Sequence, residues 1–427
     1  MRVLFLNDLD DPRIGSSIRQ MYQQAERLRE LGHEAAVVSA TQDPAQATKP
    51  DAPIEIEGTP VHRLYSDYNV RFRAWVSLDN PRVREGMSQV LDTFQPDVVH
   101  SHLIHTHLSY ASLSAARRHG AGVVFTAHDV MTFCYQKLTC FHGGEAQGGT
   151  LRDYSAYWQK CIPCQRLRWR PGRNTAIRRV LERDVHRFTV VSDELGKAIR
   201  ANGIRVDRTV YNAIRPRASL PEGAAVDDFK RKVGLEGRLV IAIGGRLHEQ
   251  KGVGQLLAML AKLKPRFPEL VLLVLGKTDV YEREFEARAR ELGVHERVVT
   301  PGWLDGDELA CAYAATDVFV TPSICFDTFG MVNLEAMEHR KPVVATVFGG
   351  SPEVIDDGRT GLVANPFELD AFAERIAELL ADADLRRAMG EAGHRRLMEH
   401  FTIERLTAEF LEEYGLARER ASAARAS

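Results

Sequence analysis

Short, continuous apolar runs alternate along this chain with longer segments of helical periodicity. Val3–Leu6, Ala35–Val38, Val61–Leu64, Asp97–His100, Val123–Thr126, Phe188–Val191 and Thr209–Tyr211 read as strands. Runs that are apolar throughout, without a polar face, suit strands covered on both sides, as in a parallel sheet. Helices are predicted from the Gly15-Ser16-Ser17 turn to Leu31, where Gly32 ends the pattern, and over Arg82–Phe94, Ser109–His119 and Asp193–Ala201. From Ile214 to Gly237 the periodicity lapses, and Arg215-Pro216 and Pro221-Glu222-Gly223 suggest an exposed linker.

A second alternating series follows. Its strands are Leu239–Ile243, Val271–Leu275, Val298–Thr300, Val318–Val320, Val343–Ala345 and Leu362–Ala364. Its helices lie near Val253–Leu263, Glu282–Leu292, Asp305–Ala314 and Phe367–Leu380. The whole predicts an α/β protein of two Rossmann-like, doubly wound domains, about 1–214 and 237–395, with a helix near 400–420 completing the first. Ligand is expected where the strands end at their C-termini, in a cleft between the domains. Ala417–Ser427, rich in Arg, Ala and Ser, is expected to fray.

Composition narrows the partners. A length of 427 residues suffices for two or three cores, and a net charge of -2 supplies no global positive field for nucleic acid. No run of about 18 apolar residues occurs, and Met1–Asp8 turns acidic too early for a signal peptide. A cytoplasmic location with reduced cysteines is expected, with peripheral contact at the inner face of a membrane as one option.

Candidate chemistry concentrates in the second series. Leu239–Ile243 runs into Gly244-Gly245-Arg246, followed by Lys251-Gly252. The glycines let backbone approach a ligand, and a guanidinium and an ammonium from one turn suit a diphosphate. Val318–Val320 leads through Thr321-Pro322-Ser323 to Asp327-Thr328-Phe329-Gly330-Met331 and a helix carrying Glu335. Amides of Phe329, Gly330 and Met331 at a helix N-terminus can bind an anion, with Asp327 and Glu335 reading hydroxyl groups beside it. Fixed cations at a departing nucleoside diphosphate would lower a transfer barrier.

In the first series His128 ends the Val123–Thr126 strand, either as a structural hydrogen-bonding residue or as a ligand contact. His100, His102, His105 and His107 suggest a polar cleft wall rather than a metal set, since no carboxylate or Cys completes one. Asp8-Leu9-Asp10 follows a strand, as metal-binding acid pairs do, whereas Asp305 and Glu308 read as a helix capping box. Four of six cysteines (Cys134, Cys140, Cys161 and Cys164) lie in an insertion over about 131–170. It has little periodicity around Gly143-Gly144 and Gly148-Gly149, and structural zinc, free thiols or disulfides would each suit it. Arg166–Arg179 holds six Arg in fourteen residues, which reads as a contact for anionic lipid or as a solvated helix face.

Gly245-Arg246…Lys251-Gly252, Pro322-Ser323…Asp327-Thr328-Phe329-Gly330…Glu335-Ala336-Met337, Lys341-Pro342-Val343, Gly349-Gly350-Ser351-Pro352-Glu353 and Thr360-Gly361-Leu362-Val363 together resemble family-four retaining glycosyltransferases, glycosyl transferases group 1. The first domain resembles them at Gly15, Leu31-Gly32-His33-Glu34, Phe125-Thr126-Ala127-His128-Asp129 and Val190-Val191-Ser192. The resemblance implies the GT-B fold and sugar transfer from a UDP- or GDP-sugar to a saccharide or lipid-linked hydroxyl acceptor, as in surface polysaccharide or glycolipid synthesis. It implies that Arg246 and Lys251 bind the diphosphate and Glu335 the ribose. Asp327 and the Phe329–Met331 amides would hold the donor sugar, with His128 near the reacting bond and Gly15 opening the loop to the ligand. No metal is required for that chemistry. The family usually has Glu at the position of Asp327, one carbon longer, which bears on the identity of the sugar. A nucleotide-sugar sensor and a sugar-nucleotide epimerase are the alternatives on the same scaffold.

Overall fold

A computed structural model describes residues 1–141 and 152–426. The chain divides into two compact units. The first holds Met1–Leu138, Tyr154–Arg215 and Ile403–Ser427; the second holds Pro216–Thr402 and the described residues of Thr139–Asp153.

In the first unit the strands are β1 (Arg2–Leu6), β2 (Glu34–Thr41), β3 (Ile54–Ile56), β4 (Thr59–Tyr65), β5 (Val98–Ser101), β6 (Gly122–Ala127), β7 (Arg187–Val190) and β8 (Arg208–Thr209). They form one sheet in the order β3-β4-β2-β1-β5-β6-β7-β8, parallel except for the β3–β4 hairpin. Val3, Leu4, Phe5 and Leu6 are all inaccessible to solvent, as an unbroken apolar run requires of a central strand. β3 was not legible, since Ile54-Glu55-Ile56 is too short to set a period.

The last helix, Ile403–Ala426, returns to this unit. Ile403, Leu406, Phe410, Tyr414 and Ala417 pack into the first core with Val3, Phe5 and Val124. A Cβ on Gly122 would lie 2.9 Å from the Ala417 carbonyl carbon, so the helix backbone touches the start of β6. The expected fraying after Ala417 is corrected: helix continues to Ala426 because Ala421 is also buried.

The second unit contains β9 (Leu239–Gly244), β10 (Leu270–Leu275), β11 (Val298–Val299), β12 (Val318–Thr321), β13 (Val343–Thr346) and β14 (Gly361–Ala364). Their order is β11-β10-β9-β12-β13-β14, all parallel. This is the 3-2-1-4-5-6 order of a dinucleotide-binding sheet, whose reversal of direction falls between β9 and β12. The loops leaving the C-terminal ends of those two strands stand at this switch point, where ligands of such sheets bind.

Three further expectations are revised. The predicted linker contains a helix, Ala224–Val233, whose Val226 and Phe229 are buried. The helix expected over Glu282–Leu292 is two, Thr278–Glu284 and Glu286–Glu291, broken at the buried Phe285. Asp305 precedes helix Gly306–Ala314 without a side-chain cap, since Asp307 pairs with Arg217 and Glu308 with Lys232 instead.

Candidate active site

At the end of β9 the chain turns at Gly245, whose φ of +96° favours glycine. A Cβ on Gly244 would stand 3.1 Å from Phe319 Cζ and 3.4 Å from the Tyr313 hydroxyl, and one on Gly245 would stand 3.5 Å from Val332 Cγ1. The turn therefore lies against the helix Met331–Glu338. Arg246, next in sequence, is exposed. A short 3-10 turn, Glu249–Lys251, follows and closes at Gly252, with φ +77°.

Gly252 sits on the loop after β12 so closely that a Cβ would fall 1.9 Å from the Pro322 carbonyl oxygen. Ile324 and Cys325 both donate their amides to the Gln250 carbonyl, at 3.0 and 3.3 Å. Two loops from neighbouring strands are thereby stitched by backbone alone. Their side chains then meet: Lys251 Nζ donates to Asp327 Oδ2 at 2.6 Å, and Ser323 Oγ donates to the same oxygen at 3.2 Å. Burial pulls the Lys251 ammonium towards neutrality, but the Asp327 carboxylate and the Cys325 sulfur outweigh it, so its pKa is raised despite the opposing charge of Arg246.

The loop after β13 makes a third layer. Gly350 donates its amide to the Asp327 carbonyl at 2.8 Å, and a Cβ on Gly349 would lie 1.9 Å from that oxygen. Thr346 Oγ1 donates to the Ser323 carbonyl at 2.8 Å. Gly330, at φ +78°, begins the helix Met331–Glu338 with no side-chain cap. Asn333 donates its amide back to the Gly330 carbonyl at 2.9 Å, while the Met331 amide, first in the helix, has no intrahelical acceptor by construction. Phe329 anchors that turn, buried against Phe401 at 5.9 Å between ring centroids.

Glu335 is oriented from behind. Tyr313, buried on helix Gly306–Ala314, donates its hydroxyl to Glu335 Oε2 at 2.6 Å. Its ring stacks on His339 at 5.2 Å, and His339 Nδ1 lies 2.8 Å from the Glu335 carbonyl. Because Tyr313 also abuts Gly244, the turn carrying Arg246 and the helix carrying Glu335 share one end of the sheet. The structure thus gathers Gly245, Lys251, Asp327, Phe329, Gly330, Met331 and Glu335, with Arg246 exposed beside Gly245.

Tyr313 escaped the sequence reading, and Ser323 entered it as a loop residue without a role of its own. A lone aromatic on an amphipathic helix looks like core, and nothing in its spacing points to Glu335. Phe141 escaped too. It is inaccessible to solvent and meets Phe326 and Phe348 edge-on at 5.9 and 5.2 Å. Arg152 donates to the Val347 carbonyl at 2.9 Å. Residues 139–141 and 152–153 of the cysteine-bearing insertion therefore belong with the second unit, beside Asp327, whereas its other described residues belong to the first.

His128 and Gly15 belong to the first unit. His128 follows β6, and its Nε2 lies 2.7 Å from His102 Nδ1. Burial, reinforced by His105 and opposed by Asp129, pushes its pKa down to about 4, so at neutral pH it is an uncharged imidazole. His100 bridges Tyr414 and Thr126 at 2.8 and 2.7 Å. His107 contacts Ser66 at 3.0 Å, and His105 contacts Tyr110 at 2.9 Å and Asp129 at 3.3 Å. These four histidines are buried bonding partners within the unit rather than an exposed wall. Gly15 caps the helix Ser16–Glu30 in extended backbone, φ -164°, and a Cβ there would meet only Ile18.

The acid pair Asp8 and Asp10 is committed to structure. Asp8 accepts the amides of Thr106, His107 and Leu108 at 2.7–2.9 Å. Asp10 accepts Arg63 Nε at 2.6 Å and Ser39 Oγ at 2.8 Å. Cys161 and Cys164 ride the helix Trp158–Gln165, while Cys134 follows the turn begun at Val130. Among the described residues no three His, Cys, Asp or Glu side chains are grouped to hold a metal. Gly143-Gly144 and Gly148-Gly149 lie outside the described residues.

Two Rossmann-like units, the second carrying Lys251, Asp327 and Glu335 on loops and a helix at its switch point, define a GT-B fold. Residues 226–396 match the model of glycosyl transferases group 1, and residues 15–214 match that of the glycosyl transferase 4-like domain. The chain belongs to this family, the group 1 or family-four glycosyltransferases. It is 32% identical over 209 residues to the GDP-mannose-dependent alpha-(1-6)-phosphatidylinositol monomannoside mannosyltransferase of Mycolicibacterium smegmatis, a match covering 44% of this chain and 54% of the relative. The chain thus spans about half the length of that curated relative. It is 27% identical to the putative glycosyltransferase EpsD of Bacillus subtilis, covering 77% of this chain and 79% of that one. Among solved structures, sucrose-phosphate synthase from Thermosynechococcus elongatus shares the fold with a TM-score of 0.75 at 20% identity, covering 99% of both chains. HepE of Anabaena, in complex with UDP-glucose, gives 0.71 at 17% identity, over 97% of this chain and 99% of that one.

Proposed function

We propose that this protein is a retaining glycosyltransferase that moves a sugar from a nucleoside-diphosphate sugar to a hydroxyl acceptor, with no metal ion in the chemistry. The observation that carries this reading is the convergence of Lys251, Asp327 and Ser323 beneath the Gly245 turn, with Glu335 held by Tyr313 beside it. Arg246 and Lys251 bind the diphosphate and stabilise charge as it leaves. Glu335 accepts from the ribose hydroxyls. Asp327 and the amides from Phe329 to Met331 hold the donor sugar, and neutral His128 contacts that sugar as a hydrogen-bonding group. Gly15 leaves room for the phosphate or sugar at the N-terminus of its helix. The departing phosphate oxygen takes the acceptor proton on the face that it vacates, which preserves the anomeric configuration.

A UDP- or GDP-sugar is the donor in this proposal. Support comes from the UDP-glucose named for the Anabaena structure and the GDP-mannose named for the mycobacterial relative. A saccharide or lipid-linked glycan of a surface polymer is the acceptor. The test is incubation with a panel of UDP-, GDP- and ADP-sugars, with and without EDTA, scoring transfer or slow donor hydrolysis and the product's anomeric configuration. Arg246→Ala and Lys251→Ala should each lower turnover by about two orders of magnitude or more, as expected when a fixed cation at the leaving group is lost. Near-native turnover in either would overturn the assignment, as would donor binding without turnover or an epimerised donor formed without acceptor.

A further inference from the structure

Two exposed stretches of the first unit carry an arrangement that the donor chemistry does not use. One is Val70–Val76, a 3-10 turn running into a short helix; the other spans the helix Trp158–Gln165 and the 3-10 turn Arg166–Arg168. They are joined through Arg170 and Tyr135. The Arg170 guanidinium lies 5.5 Å over the Trp75 ring and donates to the Ala74 carbonyl at 3.3 Å. Tyr135 donates its hydroxyl to the Arg170 carbonyl at 3.1 Å and accepts Arg73 Nη2 on its own carbonyl at 2.7 Å.

Across this junction apolar side chains stand in solvent: Val70 is 61% exposed, Phe72 59%, Trp158 61% and Leu167 99%. Arg166 holds φ at +51° with ψ at -125°, a sparsely populated backbone conformation for a non-glycine residue. That backbone presents Leu167 outward, where it returns nothing to the fold. The charge is one-sided as well. Residues 70–77 and 157–179 contain two and seven Arg or Lys and no Asp or Glu, in a chain whose net charge is -2. Arg173 is buried over Tyr135 at 4.5 Å and Arg178 faces Glu182 at 3.9 Å, so they do not face outward freely. Arg71, Arg166, Arg168 and Arg179 are exposed, and among the described residues none of the four has an acidic partner.

We propose that this face docks on an anionic bilayer surface, with Phe72, Trp158 and Leu167 entering the interface and Arg71, Arg166 and Arg168 meeting lipid phosphates. Protruding rings and aliphatic tips flanked by cations suit a headgroup layer, where apolar ends are buried and charged ends stay wet. A second copy is disfavoured as the occupant, because self-pairing would set cations against cations. Among the described residues no helix is long and apolar enough to cross a membrane, so this contact is peripheral.

The experiment uses the full chain and phosphatidylcholine vesicles with and without phosphatidylglycerol, at low and high salt. The protein should sediment with anionic vesicles only, and less at high salt. Arg166→Glu with Arg168→Glu should lower partitioning about thirtyfold or more, since each cation near such a surface contributes about 1 kcal/mol. Phe72→Ser with Leu167→Ser should lower it about tenfold or more, at unchanged melting temperature. Without any substitution, brominated phosphatidylglycerol should quench tryptophan emission. Absence of sedimentation, native partitioning in both double variants, or unquenched emission would overturn the proposal. Binding of single-stranded RNA in place of vesicles would overturn it in favour of a nucleic acid.

Discussion

Asp327 divides one carboxylate oxygen between Lys251 Nζ and Ser323 Oγ, a reminder that residues named for a ligand also hold each other. The shorter acid is already tied to Lys251, so the proposed function requires a donor to share or exchange that ion pair. Lys251 and Asp327 were legible because each stands in a Gly-punctuated loop after an apolar run. Tyr313 was not, because its value lies in one hydroxyl that meets Glu335 only after folding. The histidines of the first unit carry a prediction at this scale. Burial holds His100 and His102 well below the ordinary imidazole range and His128 at about 4. In the unfolded chain each takes a proton near pH 6.5. Folded-state pKa values are lowered, so the stability involved is fully present above pH 6.5 and is lost as pH falls towards 4. Each refused proton removes about 1.4 kcal/mol per pH unit in that window. Thermal melts from pH 8 to 4 should show the melting temperature falling below about pH 6.5. A flat profile down to about pH 4.5 would contradict the buried, neutral state.

The loops after β9, β12 and β13 owe their shape to glycines whose necessity the sequence only half discloses. Gly252 and Gly349 have positive φ, and any Cβ on either would collide with a carbonyl oxygen at 1.9 Å, of Pro322 and Asp327 respectively. Gly234 has a similar φ, +76°, but nothing within 4 Å. Gly252→Ala and Gly349→Ala should therefore each lower the melting temperature and weaken nucleotide binding. Gly234→Ala should cost only the left-handed penalty of about 1–2 kcal/mol and leave binding unchanged. Equal behaviour of all three, by calorimetry and nucleotide titration, would deny the close stitching of these loops. Punctuation announced the turns, but not which of them touch. Likewise the helix Ala224–Val233 was hidden by Pro221 and Gly223 before it, and by a pattern offering only Val226 and Phe229 to a core.

Over the whole molecule, the last helix belongs with the first sheet although 187 residues of the second unit, Pro216–Thr402, intervene in sequence. Its buried stripe, Ile403, Leu406, Phe410 and Tyr414, covers apolar side chains of β1 and β6, and Tyr414 is within hydrogen-bond range of His100 at 2.8 Å. A chain ending at Thr402 should therefore lose the first unit's cooperative melting transition while the second unit still melts. Two unaltered transitions in calorimetry would refute that dependence. By itself the sequence determined the two parallel-sheet units and most of the candidate donor residues. Unbroken apolar runs force strands covered on both faces, and glycine and proline mark where such strands must end. Only the tertiary structure decided that Tyr313 orients Glu335, that Phe141 packs beside Asp327, and that Asp8 and Asp10 are structural. These depend on contacts between residues far apart in the chain, which local periodicity does not encode.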